Sequence, residues 1–204
     1  MGPVQARKLA LQMALIDEFL PAWQFRERHE RVIRAEPARI AAELPRVNFA
    51  DSMLIGWLFA LRALPARLLH GPDAAAALAP GPLGEFFARA FVPLRNAGER
   101  GLVIGAVGEF WRAAGGIRAV APAAFSSDRT PGCARLAWAF DFEPLDAART
   151  RVITETRIAC NDAAALWPMR AYWWLIRPAS GFVRRETLRL LAQRCETDAA
   201  PLQR

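Results

Sequence analysis

The longest run of patterned apolar positions lies near the end of the chain. Met169, Tyr172, Trp173 and Ile176 recur at i, i+3, i+4 and i+7, the spacing of one buried helix face. Val183, Thr187, Leu190 and Leu191 carry the strip onward, so a long C-terminal helix is expected over residues 161–195. Asn161 and Asp162 are capping residues. Pro168 stands too deep for an undistorted first turn, which moves the regular part to about Leu166. Pro178 and Gly181 predict a kink. This helix holds three of the seven tryptophans and the only tyrosine.

Period-two patterning leads directly into it. Leu136, Trp138, Phe140 and Phe142 share one strand face, with Arg135, Asp141 and Glu143 on the other. After a turn at residues 144–148, Val152, Thr154, Thr156 and Ile158 alternate with Arg151, Glu155 and Arg157. The reading is an antiparallel hairpin with its apolar face covered by the last helix and its charged face wet, leaving Arg135 and Glu155 exposed.

The first half is less regular. Leu9, Met13, Ile16 and Leu20 mark an amphipathic helix ending at Pro21. It precedes the first strand, so residues 1–22 are expected to be dispensable for folding, and they serve as packing, as a membrane-surface anchor or as a dimer contact. HERVIRA at 29–35 reads as that strand, and Pro37 opens a short helix to about Leu44. Asp51 and Ser52 cap a helix whose apolar run, 53–61, is about half of the roughly 20 residues a bilayer span requires. It is expected to pack under the sheet. Residues 70–84 form a Gly-, Pro- and Ala-rich loop. A short helix at 85–90 and strands at 91–95, 101–110 and 117–120 follow. The chain reads as one domain over 23–197, with the helical segment 1–22 before it and a tail at 198–204.

Composition changes this picture little. Of the 204 residues 53% are hydrophobic, slightly above the ordinary globular range, and 23% are charged, which is ordinary. A net charge of +7 suits an anionic partner. Yet Lys8 is the only lysine and the arginines are scattered, so no nucleic-acid partner is indicated. Arg170, Arg177 and Arg184 recur every seven residues. They form either a solvated face or an anion or lipid-headgroup contact, the latter consistent with transient binding to an anionic membrane.

Cys133, Cys160 and Cys195 form no C-x-x-C pair, which suits reduced thiols in the cytoplasm. With only His29 and His70, histidine metal sites and Ser-His or Cys-His catalysis have little to draw on. No cofactor-binding or hydrolase motif is present, and spacing places no acid–base pair inward.

The stretches DEFLPAWQFRERH at 17–29, GAVGEFWR at 105–112 and YWWLIRPASGFVRRETLR at 172–189 resemble a group of uncharacterised bacterial proteins of the SRPBCC, or START-like, superfamily. The likeness covers about residues 17–195; Pro168 and the Ala-rich loop at 73–79 depart from it. It implies an α+β helix-grip fold, an antiparallel sheet of about six or seven strands wrapped on the long C-terminal helix. It also implies a ligand between the concave sheet face and that helix. Combined with the alternation above, it nominates Trp138, Phe140, Thr154, Thr156, Tyr172, Trp173 and Ile176 as lining. Gly105 and Gly108 permit a bulge or close backbone approach that lets Trp111 shape one end. Buried threonine hydroxyls need partners, and in a cavity water or ligand would supply them. Two functions follow: carriage of an apolar or amphipathic molecule, or a cyclase- or dehydratase-type enzyme in which Tyr172 or an arginine stabilises negative charge. A peripheral membrane role is a third.

Overall fold

The computed structural model describes residues 14–58, 60, 81–112 and 116–197. The fold is α+β: six antiparallel strands and one long closing helix. The strands are β1 (Phe25–Ile33), β2 (Val92–Asn96), β3 (Gly101–Gly108), β4 (Ile117–Arg118), β5 (Ala134–Pro144) and β6 (Thr150–Cys160). Their order is β1-β6-β5-β3-β2, with β4 also pairing β3. Helices α1 (Pro37–Glu43), α2 (Leu83–Ala90) and α3 (Ala163–Thr197) accompany them.

The closing helix starts earlier than the proline suggests. Asp162 caps it, its Oδ1 accepting the Ala165 N–H at 2.8 Å, and α3 then runs through both Pro168 and Pro178 as one helix. Asp162 Oδ2 also accepts the Gly132 N–H at 2.6 Å, so one side chain ties the helix start to the loop before β5. These backbone donors hold the Asp162 carboxyl below its usual range.

Both faces of the sheet are covered. On the helix face, Trp138, Phe140, Phe142, Val152 and Ile33 pack with Leu188, Leu191 and Cys195 of α3 and with Ile40, Leu44 and Phe49. On the back face, Ala137, Ala139 and Ala159 leave room for Leu15, Ile16, Leu20 and Phe125. The described part of the N-terminal segment is a single 3-10 turn, Leu15–Glu18, and it is core. Leu9 and Met13 lie outside the described residues. Of the helix expected from residue 53, residues 53–58 are helical and Ile55 is buried, while Met53 and Trp57 face solvent. Residue 59, the rest of that helix beyond residue 60 and the loop up to residue 80 lie outside the described residues.

The glycines of β3 serve close approach. A Cβ at Gly105 would come within 2.8 Å of the Phe125 ring, and one at Gly108 would collide with the Gly116 carbonyl. The register shift falls on the neighbouring strand instead, between Pro93 and Arg95, where proline cannot donate to the ladder.

Candidate functional site

The expected charged, wet face of the hairpin is a buried network. Glu155 is 2% exposed, and Arg26 clasps it with Nε and Nη2 at 2.8 and 2.9 Å. Arg157 donates to Glu155 at 2.5 Å, to Asp17 at 2.6 Å and to the Leu20 carbonyl, under the Trp23 ring. Burial disfavours the Glu155 charge, but the hydrogen bonds and charges of Arg26 and Arg157 outweigh it and hold the carboxyl below its usual range. Arg135 is half-buried. The sequence reading fails here because strands carrying charge can still be roofed by a distant segment, in this case residues 14–24.

The helix face holds a second polar group, and it is built differently. β1 begins at Phe25, four residues before the HERVIRA reading, so Glu27 and His29 join Phe25 and Ile33 on the inward parity. Register sets Glu27 beside Thr156 and His29 beside Thr154, with Trp138 and Phe140 next across β5. His29 Nε2 lies 3.1 Å from Glu27 Oε1, and the Glu27 side chain is 9% exposed. Above them α3 presents Gly181, where any Cβ would collide with Glu27 Oε1. A glycine costs about 1 kcal/mol against alanine inside a helix, and the carboxylate beneath explains its place.

One turn on, Arg184 points into the same seam. Its Nε and Nη2 both donate to Thr156 Oγ1, the former at 2.8 Å, and its guanidinium lies 4.4 Å from the centre of the Trp138 ring. Trp138 Nε1 in turn donates to Thr154 Oγ1 at 2.7 Å. Burial pushes the Arg184 pKa down to about 10, with Glu27 opposing that shift. Glu27 Oε2 is buried and accepts no hydrogen bond. A buried carboxylate oxygen with nothing to accept is an under-satisfied arrangement.

The nominated residues therefore divide. Trp138, Phe140, Thr154, Thr156 and Arg184 converge, but Trp138 and Phe140 are packed rather than open, with Phe87 at 5.3 and 6.2 Å and Phe91 6.0 Å from Trp138. The threonine hydroxyls have protein partners, where the sequence reading invoked water or ligand. Trp111, Tyr172, Trp173 and Ile176 form a separate cluster around Met169 and Phe110. Arg170 and Arg177 are exposed while Arg184 is buried, so the sevenfold row is not one functional surface. Reasoning from sequence missed Glu27 and His29. The signal was present in FRERHERVI, whose odd positions carry Phe25, Glu27, His29, Arg31 and Ile33.

No family model, curated protein or solved structure matches the chain.

Three clefts lie outside this seam, none of them lined by Thr154, Thr156 or Arg184. One of about 560 Å³ lies at the β2–β4 edge beside Phe86, Phe91 and Ile117. Another of about 420 Å³ is lined by Phe87, Phe91, Leu102 and Ile104. A third, about 800 Å³ and more polar, opens on the back face around Asp141 and Arg157. Phe87 and Phe91 line the second cleft and pack on Trp138, whose ring also meets the Arg184 guanidinium. Among the described residues, no group of three or more His, Cys, Asp or Glu could hold a metal ion.

Proposed function

We propose that the protein binds an amphipathic small molecule or lipid, its apolar body beside Phe87 and Phe91 and its polar end at Arg184, Glu27 and His29. The observation that carries this reading is buried Glu27 Oε2 without a donor, on the same seam as buried Arg184, which donates to Thr156 Oγ1. A polar head with a donor atom would complete Glu27, the pattern of apolar sites with a few oriented polar groups. The order of elements agrees with the START-like resemblance. A second reading, an enzyme of cyclase or dehydratase type, is favoured by the His29–Glu27 contact at 3.1 Å beside a fixed cation. Those groups could move a proton while Arg184 stabilises the developing anion. The reading sets the protein in the cytoplasm, because Cys133, Cys160 and Cys195 are all free thiols.

The test is native mass spectrometry of the purified chain, followed by titration with the anionic dye anilinonaphthalene sulfonate and the neutral dye Nile red. A co-purifying molecule, or dye binding that Arg184→Lys weakens for the anionic dye more than for the neutral one, is the expected result. A wild-type chain that carries nothing and binds neither dye would leave the seam as a filled core.

A further inference from the structure

The N-terminal half of α3 has two opposite apolar faces. One is buried: Ala165, Met169 and Trp173 face the sheet. The other points away from it. Trp167 is 69% exposed, Trp174 82% and Leu175 70%, and with Ala171 and Pro178 they recur at i, i+4, i+7, i+8 and i+11. Helix periodicity sets them in one stripe on the side opposite the core. Exposed Arg170 and Arg177 border the stripe on one side, and the Arg170 guanidinium lies 5.8 Å from the centre of the Trp167 ring.

Charge selects the occupant. From residue 163 to 185 the helix contains four arginines and no Asp or Glu. A second copy docking by this face would set its own Arg170 and Arg177 near their counterparts, a like-charge contact that costs affinity. An anionic lipid surface accepts both features: indoles settle at the headgroup level, and arginines at the rim meet the phosphates. Among the described residues no helix is long and apolar enough to cross a membrane, so the geometry is that of a helix lying on the surface. We infer that the N-terminal half of α3 docks the protein on anionic membranes through Trp167, Trp174 and Leu175, with Arg170 and Arg177 contacting lipid phosphates. This rests on exposure and charge at the surface and is independent of the proposed internal ligand.

The experiment is co-flotation of the full chain with vesicles of phosphatidylcholine alone or with one third phosphatidylglycerol, read together with tryptophan emission. Binding is expected to the anionic vesicles, with a blue-shifted emission. Arg170→Gln with Arg177→Gln should weaken it about 30-fold, the equivalent of about 1 kcal/mol for each arginine near an anionic surface. Trp167→Ser with Trp174→Ser should abolish the blue shift. All four side chains lie on the surface, so unchanged thermal melts are expected and separate lost docking from lost fold. The inference is overturned if the wild type ignores anionic vesicles at low salt, or if the variants bind as well as it does. A dimer in sedimentation that these substitutions dissolve would also overturn it, by assigning the stripe to a second copy.

Discussion

The two faces of the β5–β6 hairpin both bury charge, and they treat it in opposite ways. On the back face every carboxylate oxygen of Glu155 meets a guanidinium nitrogen at 2.5–2.9 Å, and Arg157 Nη1 donates to Asp17 and to the Leu20 carbonyl. On the helix face Arg184 leans on one hydroxyl and Glu27 leaves an oxygen without a donor. A closed network fixes one segment against another. An open one retains unused hydrogen-bonding capacity that a bound molecule can take up. The same residue types thus serve as a clasp on one side and as a candidate site on the other.

The clasp is what the N-terminal segment depends on, and removing that segment should have the largest effect. Deleting residues 1–22 strips Leu15, Ile16 and Leu20 from the back face, all at most 4% exposed. At roughly 1.5–3 kcal/mol for each buried side chain, the loss is about 5 kcal/mol or more, comparable to the whole stability of many domains. The truncated chain should show no cooperative urea transition. A sharp transition near that of the full chain would mean the sheet is self-sufficient, as the sequence alone suggested.

Next in size is Glu155→Gln. It leaves Arg157, whose side chain is 4% exposed, without its closest counter-charge. Breaking a buried pair from one side costs about 3–5 kcal/mol, and the low end applies because the Arg26 side chain, at 43% exposure, can rehydrate. Thermal and urea melts at neutral pH would read this directly. A cost under about 1 kcal/mol would show the back face to be wetter than its geometry indicates.

How legible all this was in the sequence follows from what local pattern encodes. The β5–β6 parity was readable because Leu136, Trp138, Phe140 and Phe142 leave a single large apolar face. β1 was cut short because FRERHERVI puts charge on both faces, so alternation carries no hydrophobic signal. The back face read as wet because its roof comes from Asp17, 140 positions away from Arg157. Arg184 was grouped with Arg170 and Arg177 because a sevenfold spacing tells which residues align, not what lies over each. The threonines were singled out correctly as covered, but their partners, Trp138 and Arg184, depend on packing. Replacing both by valine would cost stability, since it strands an indole N–H and a guanidinium.

The back face also contains one charge that its network does not favour. Burial, and then Glu155, Glu143 and Asp17, lift the Asp141 carboxyl to about 6, against the opposing Leu15 N–H at 3.0 Å. An unfolded aspartate titrates near 3.9, so the folded chain holds a proton that the unfolded chain has released. The resulting stabilisation is complete below about pH 4 and is lost as pH rises through about 6. Asp141→Asn keeps an acceptor for Leu15 and never ionises. It should be more stable than the wild type by about 2 kcal/mol at pH 7 to 8, with the difference fading toward pH 4. Urea titrations across that range would show it. A destabilised variant at pH 8 would mean that an arginine of the cleft uses the ionised form.

The smallest effect is expected on the helix face, and it tests the contrast most directly. Glu27→Gln is the same chemical change as Glu155→Gln, at a side chain 9% rather than 3% exposed. Glutamine keeps an oxygen toward His29, and Glu27 Oε2 has no donor to lose. What disappears is the charge acting on Arg184, whose Thr156 hydrogen bonds stay in place. The expected cost is about 1 kcal/mol or less, the net worth of one ordinary hydrogen bond. The same variant should change the affinity for the anionic dye, because the head of a bound anion would no longer meet the Glu27 charge. Equal losses of stability in the two variants would mean that Glu27 is already fully engaged. The seam would then be a second clasp, and the proposed site would lose its basis.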